Sequence, residues 1–120
     1  MNNTYYISAD IKDNNSFNSF QLSQYNKGDI IYFKITCNGE LFNINNSSAI
    51  FQISKNGVDL SKNCSVINNL VKLIITEDLT DTCGKFPYQI VLTSENTKIT
   101  TTTNIIKIRK AVANGIFSNN

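Results

Sequence analysis

Apolar and polar residues alternate with a period of two along most of this chain. That period is typical of β-strands with one buried and one exposed face. The alternating segments are Thr4–Lys12, Asp29–Thr36, Ala49–Lys55 and Lys85–Thr93, with shorter pieces at Cys64–Asn68 and Leu70–Ile74 and a final run at Lys98–Lys110. A helical period of apolar residues is nowhere sustained beyond about ten residues. We therefore expect only single helical turns, at Leu79–Thr82 and Asn45–Ser48.

Turn-forming residues separate the alternating segments. Asn precedes or neighbours Gly in Asn26–Asp29, Cys37–Glu40 and Lys55–Val58, and the pair Asn68-Asn69 lies between two short strands. Both residue types tolerate the positive φ of tight hairpin turns, which join antiparallel strands. Roughly seven or eight short strands of this kind predict an all-β sandwich or a small barrel. We favour an antiparallel β-sandwich, because each strand has one clearly apolar face.

Two positions depart from this regular pattern. Pro87 lies inside a strand and cannot donate a ladder hydrogen bond, which predicts an edge position or a bulge. In the last run, Ile99 and Ile105 share one parity while Ile106 and Ile108 share the other. One strand register cannot bury all four side chains. The sequence therefore predicts a β-bulge near Thr103–Asn104, since one extra residue exchanges the two faces.

Length and composition indicate one domain of moderate charge. With 120 residues, 41% of them hydrophobic, the chain can bury a core without disulfides or metal. We expect the domain at residues 1–110 and a C-terminal tail at 111–120. The net charge is only +2, and the positively charged residues are scattered along the chain. Both observations argue against nucleic-acid binding. No apolar run approaches the roughly 18 residues of a membrane span, and the first residues lack the features of an export signal.

The residues that most enzymes and metal sites need are missing or badly spaced. There is no histidine, which excludes His-dependent triads, His proton shuttles and His metal ligands. Cys37, Cys64 and Cys83 have no C-x-x-C spacing, and we expect reduced, partly buried thiols. The acidic cluster within Glu77–Asp81 lacks calcium-loop spacing, so we expect a solvated turn. The sequence predicts no catalytic residues, no metal and no cofactor.

Aromatic and apolar side chains at unusual places are candidates for contact with a partner. Tyr6 and Tyr32 fall on the less apolar faces of their strands, where aromatic residues often mediate binding. Ile116 and Phe117 interrupt a polar C-terminal sequence of the kind that is usually disordered. They predict a short arm that orders in the groove of a partner.

The remaining candidates are the basic residues Lys107, Arg109 and Lys110, which end the last alternating run. We expect this run to be an edge strand. Charges on such a strand either protect the edge from aggregation or dock an acidic neighbour, and the sequence leaves both interpretations open.

The order of these strand and turn patterns resembles the N-terminal domain of phage baseplate upper proteins. This is a family of immunoglobulin-like β-sandwiches from tailed phages of low-GC Gram-positive hosts. The resemblance covers roughly Tyr5–Lys110. Its motifs are Lys27–Asp29, Asn38–Ile44, Ser48–Gly57, Leu79-Thr80, Gly84–Ile90, Ile99–Thr101 and Ile106–Lys110.

The resemblance implies a non-enzymatic virion protein, made in the host bacterial cytoplasm, that binds the tail-tip hub and associates with copies of itself. A homo-oligomer such as a trimer is expected, with neither nucleic acid nor membrane as a partner. No partner-contacting residue can be carried over from the family. Family members usually continue into a long stem, whereas this chain continues only about ten residues past the domain. A capsid decoration or head accessory protein, bound to the capsid shell, therefore remains an alternative, as does a carbohydrate-binding module with coplanar exposed aromatic rings.

Overall fold

The computed structural model describes residues 3–13 and 20–112, which form ten β-strands and one helical turn. The helical turn, α1, is Glu77–Thr80. The strands are β1 (Thr4–Asp10), β2 (Phe20–Ser23), β3 (Ile30–Cys37), β4 (Glu40–Leu41), β5 (Ser48–Lys55), β6 (Val58–Ile67), β7 (Leu70–Ile74), β8 (Gly84–Thr93), β9 (Lys98–Thr100) and β10 (Asn104–Arg109). No helix in these ranges is long and apolar enough to cross a membrane.

The strands form two sheets that share β6. The strand order is β1-β3-β7-β6-β5-β8-β10-β2, with β4 added to β3 and β9 added to β8. The first seven residues of β6, Val58–Cys64, pair with β5, and its last three, Ser65–Ile67, pair with β7. We call β1, β3, β4, β7 and the end of β6 the first sheet, and the other strands the second sheet.

Four aromatic rings fill the space between the sheets. Phe33 of β3 stacks on Phe51 of β5, with ring centroids 5.9 Å apart, and Tyr88 of β8 stacks on Phe51 at 5.2 Å. Phe20 of β2 meets Phe33 and Tyr88 edge-on. All four residues stand at inward positions of their strands, where Phe33, Phe51 and Tyr88 belong to the buried core and Phe20 packs against it.

The predicted all-β fold is confirmed, with more strands than expected. The hairpin at Lys55–Val58 is present, but β6 begins at Val58 instead of Cys64. β2 and β4 were not foreseen, because four-residue and two-residue strands are too short to show an alternation. The helical turn begins two residues before the predicted start at Leu79. Asn45–Ser48 is not helical: its first two residues form a turn and Ser48 begins β5.

The prediction of purely antiparallel pairing is wrong for two strand pairs. β1 pairs with β3 in parallel, and β2 pairs with β10 in parallel. The chain leaves the first sheet after β1 and enters the second sheet at β2. Alternation shows which side chains face the core, but it carries no information on the direction of the neighbouring strand.

The predicted bulge in the last run is confirmed, between β9 and β10. Thr100 lies opposite Val91 and Asn104 lies opposite Tyr88, so the run contains one residue more than β8 does between these pairs. At the bulge, the amide of Ile90 donates to the Thr101 hydroxyl at 2.9 Å. The inward positions consequently change from odd to even residue numbers along this run.

Pro87 does not lie on an edge strand or in a bulge, contrary to the prediction. β8 is an interior strand between β5 and β10, and Pro87 pairs with Ile105. The pairing of β8 with β5 extends only as far as Tyr88, the residue that follows the proline, and does not include Pro87. The missing N–H points to the side where the ladder has already ended, so proline removes no ladder hydrogen bond.

Candidate interaction surfaces

The outer surface of the first sheet carries a pair of stacked tyrosines. Tyr6 on β1 and Tyr32 on β3 lie directly opposite each other in the ladder. Their ring centroids are 5.3 Å apart and their planes differ by 18°. The Tyr6 side chain is 73% exposed. The alternation placed both residues outward, and the parallel register of β1 and β3 brings them together.

Aliphatic side chains extend this surface. Ile30 lies one outward position from Tyr32 and pairs with Ile74 of β7, which is 54% exposed. At the other end of β7, Leu70 pairs with the exposed Ile67 of β6. Sequence reasoning missed these residues, since the outward position of Ile30 and Ile74 becomes significant only once the strand order is known.

The solvent-accessible charges on this surface are positive. Lys34 and Lys72 occupy outward positions beside Tyr32, and Lys72 is its ladder partner on β7. In the described part of the chain the ion pairs involve Lys27, Lys55 and Lys62, none of which lies on this surface. No exposed carboxylate stands at an outward position of β1, β3, β7 or the end of β6. We call this surface the tyrosine face; it consists of Tyr6, Ile30, Tyr32, Lys34, Ile67, Leu70, Lys72 and Ile74.

The tyrosine stack does not have the geometry of a sugar-binding platform. Such a platform needs exposed rings that lie side by side in one plane. Here each ring covers one face of the other at 5.3 Å, which leaves one ring face and the edges for contact. Nothing in this arrangement favours the carbohydrate-binding alternative.

The basic residues at the end of β10 lie elsewhere, on the second sheet. β10 was predicted to be an edge strand, and this prediction is wrong. β2 pairs with β10 on the side away from β8. The Arg109 guanidinium donates from Nη2 to the Ser23 hydroxyl at 2.7 Å, while Lys107 and Lys110 are exposed. Both interpretations that rested on an edge position therefore lose their premise. Ile116 and Phe117 lie outside the described residues.

The acidic turn is neutralised by lysines. Lys55 and Lys62 stand at inward positions of β5 and β6, and both side chains reach the segment that contains α1. Lys55 Nζ donates to the Asp78 carbonyl at 2.7 Å and to the Asp81 carboxylate at 2.6 Å, while Lys62 pairs with the Asp78 carboxylate. These hydrogen bonds hold the pKa of both carboxyls below their usual range. Within the described ranges, no three potential metal ligands come together.

We predict that Lys55→Met lowers the free energy of unfolding by about 1–2 kcal/mol, because the Asp78 carbonyl and the Asp81 carboxylate lose their donor. The Lys55 side chain is only 7% exposed. Urea denaturation gives the stability, and amide hydrogen exchange of α1 should become faster. The matched control is Lys62→Met at a more exposed pair, for which we expect less than about 1 kcal/mol. Equal losses for both variants would contradict the anchoring role of Lys55.

One buried carboxylate joins three parts of the fold. Asp10, 4% exposed, ends β1, and its Oδ1 accepts amide hydrogen bonds from Lys12, Asp13 and Asn38. Its Oδ2 accepts the Thr36 hydroxyl at 2.6 Å and the Gly39 amide at 2.8 Å. Its carbonyl accepts the Thr102 amide from the bulge.

The hydrogen bonds decide the charge state of Asp10. Burial alone would raise the pKa of this carboxyl, but the donors from Thr36, Asp13, Gly39 and Lys12 outweigh that effect and hold the pKa well below its usual range. The carboxylate is therefore ionised and fully occupied as an acceptor. Such a group stabilises structure and is poorly suited to act as a general acid or base.

The cysteines are free thiols in the structure, as the spacing predicted. Cys37 and Cys64 are half-buried, and burial raises the pKa of Cys64 to about 11. Cys83 is exposed, which differs from the predicted partial burial. A thiol with a raised pKa is a weak nucleophile, because the thiolate is the reactive form.

An open groove of about 410 Å³ crosses the outer surface of the second sheet. Its polar lining includes Gln52 and Gln89, whose side-chain amides hydrogen-bond across the strands at 2.9 Å, together with Asp59 and Ser61. Tyr88 also borders the groove, but its ring is packed in the core. The groove does not converge on a group with a perturbed pKa suited to catalysis.

The fold is similar to that of a phage protein domain. The solved structure of the N-terminal domain of phage TP901-1 ORF48 matches this chain with a TM-score of 0.76 and 13% sequence identity. The match covers 89% of this chain and 99% of that domain. No protein-family model matches the sequence, and no curated protein does. The two chains therefore share a fold over nearly their whole lengths, at an identity too low to establish more than the fold.

Proposed function

We propose that this chain is a non-enzymatic structural protein of a tailed bacteriophage virion, where it docks onto other virion proteins as a baseplate or tail adaptor. The observation that carries the proposal is the fold match, which covers almost all of this chain and of a phage protein domain. The order of sequence motifs, which resembles baseplate upper proteins, supports the same assignment independently. Fold alone does not fix function, so the agreement of the two lines matters.

The strand order supports an immunoglobulin-like sandwich for this adaptor. In that fold the first, second, fifth and fourth strands form one sheet, and the third, sixth and seventh form the other. If β2, β4 and β9 are treated as additions, the remaining seven strands have the order β1-β3-β7-β6 in the first sheet and β5-β8-β10 in the second. This is the immunoglobulin order, with the parallel pairing of β1 as a departure.

The states of the titratable groups support a non-enzymatic role. The two buried carboxylates, Asp10 and Asp29, both accept hydrogen bonds that hold local turns or chain ends. The acidic groups of α1, and Asp81 next to it, are paired with lysines. What the described surface offers is an exposed aromatic and aliphatic patch, which is the composition of an interaction surface.

Synthesis in the host cytoplasm, assembly into the particle and association with further copies of the chain belong to the same proposal. Free thiols fit a protein that folds in a reducing compartment. Repeated copies in a symmetric particle would make weak individual contacts effective, because the second and later contacts form at high effective concentration.

The experiment that tests the proposal is quantitative mass spectrometry of purified particles from the phage that encodes this chain, followed by particle reconstruction. We expect a fixed number of copies per particle, with density for the sandwich at the tail tip. Density on the head would replace the adaptor role with the capsid decoration alternative. Absence from purified particles, with a known virion protein detected as control, would refute the proposal.

A further inference from the structure

The tyrosine face combines an apolar centre with two lysines, Lys34 and Lys72, that lie beside Tyr32. Tyr6 and Ile74 are 73% and 54% exposed, and both belong to one continuous sheet surface through the ladder contacts of Ile30 and Tyr32. Clustered exposed apolar side chains of this kind usually mark a surface that another molecule covers. In the described part of the second sheet, Val58 is the only large apolar residue that is mainly exposed, and the groove is lined at outward positions by amides, hydroxyls, a carboxylate and Pro87.

The charges on the tyrosine face limit which kind of molecule can cover it. Lys34 and Lys72 lie beside the apolar centre, and the described outward positions of this sheet carry no exposed carboxylate. Two copies meeting face to face would bring like charges together around a low-dielectric centre, which is unfavourable. A surface with carboxylates around an apolar projection would instead pair with both lysines while it covers the tyrosines.

We infer that the tyrosine face docks a different virion protein, through a surface of that protein in which aspartates or glutamates surround exposed aliphatic or proline side chains. This inference rests on the proposed function and adds the binding face and the chemistry of the partner. Tyr6, Tyr32 and Ile74 supply the contact area that truncation should affect most. Lys34 and Lys72 set the orientation of the partner and disfavour self-association through this face.

The first experiment compares variants for incorporation into particles. Tyr6→Ser combined with Ile74→Ser, and separately Lys34→Glu combined with Lys72→Glu, should each reduce the copies per particle about tenfold or more. Matched controls are Val58→Ser, an equally exposed apolar residue at the β5–β6 hairpin, and Lys85→Glu on the outer surface of the second sheet. Both controls should incorporate like the wild type. Unchanged thermal midpoints for all variants would show that they are folded.

The second experiment identifies the partner's chemistry in intact particles. A water-soluble carbodiimide joins lysine amines to carboxylates in direct contact, and mass spectrometry locates the resulting amide bonds. We expect bonds from Lys34 or Lys72 to Asp or Glu of another virion protein, and no bonds from Lys85 to that protein. Bonds from these lysines to a second copy of this chain would overturn the inference in favour of self-association.

The outcomes separate this inference from the proposed function. Wild-type protein missing from particles refutes the function. Wild-type protein present, with the tyrosine-face variants incorporated equally well, refutes only the inference. Residues 113–120 of the same chain are the alternative occupant of this face, and truncation tests it. If truncation after Val112 changes the NMR shifts of the Tyr6 ring in the isolated protein, an intramolecular contact replaces the proposed docking.

Discussion

Asp10→Asn should destabilise the protein by about 3 kcal/mol, because an amide cannot accept on the Oδ2 side. The amide nitrogen would face the Gly39 N–H, which then has no acceptor, and the remaining bonds lose their charge assistance. Urea denaturation measures the effect. Asp59→Asn is the control, since Asp59 is an exposed carboxylate in the groove of the second sheet. A loss below about 1 kcal/mol would mean that the five donors find other acceptors.

The same substitution should remove part of the acid sensitivity of the wild type. The folded protein holds the pKa of Asp10 below the unfolded value of about 3.9. The unfolded chain therefore binds the proton more readily, and the stabilisation is complete above the unfolded pKa and lost as pH falls below it. We expect wild-type stability to decline below about pH 4, and Asp10→Asn to decline less steeply over the same range. Parallel pH profiles for the two proteins would contradict the assignment.

Phe33→Ala should cost about 3–5 kcal/mol, the range for deletion of a fully buried aromatic side chain. Phe33 is completely buried and contacts the rings of Phe20, Phe51 and Tyr88. Its removal leaves a cavity between the sheets that rigid strands on both sides cannot close. Thermal and urea denaturation give the loss, and the exposed Tyr6→Ala is the control, with an expected change near zero. Equal small changes in both variants would show that the core tolerates the cavity.

The sequence predicted what depends on parity and turn chemistry. Alternation gave the inward positions of Phe33, Phe51 and Tyr88, and a parity conflict among four isoleucines located the bulge. Asn-Gly pairs located the hairpins, where Asn38 and Asn56 adopt positive φ. Each of these features follows from neighbouring residues, so the local sequence is sufficient to determine it.

The sequence did not predict what depends on which strands become neighbours. Without the strand order, Lys107 and Arg109 suggested an edge, although the four residues of β2 cover that side. The tyrosine face was found only in part: Tyr6 and Tyr32 were identified by parity, whereas Ile74 joins them through the register of β7 against β3. The role of Asp10 depends on a turn 28 residues away in sequence, a contact that periodicity does not encode.

Because β6 belongs to both sheets, it determines how the domain unfolds under force or in denaturant. A single continuous backbone crosses from one layer to the other at Cys64–Ser65, without a loop that could stretch. Separation of the layers therefore requires one ladder of β6 to break, so neither layer can detach as an independent folding unit. The domain should therefore unfold in one cooperative step.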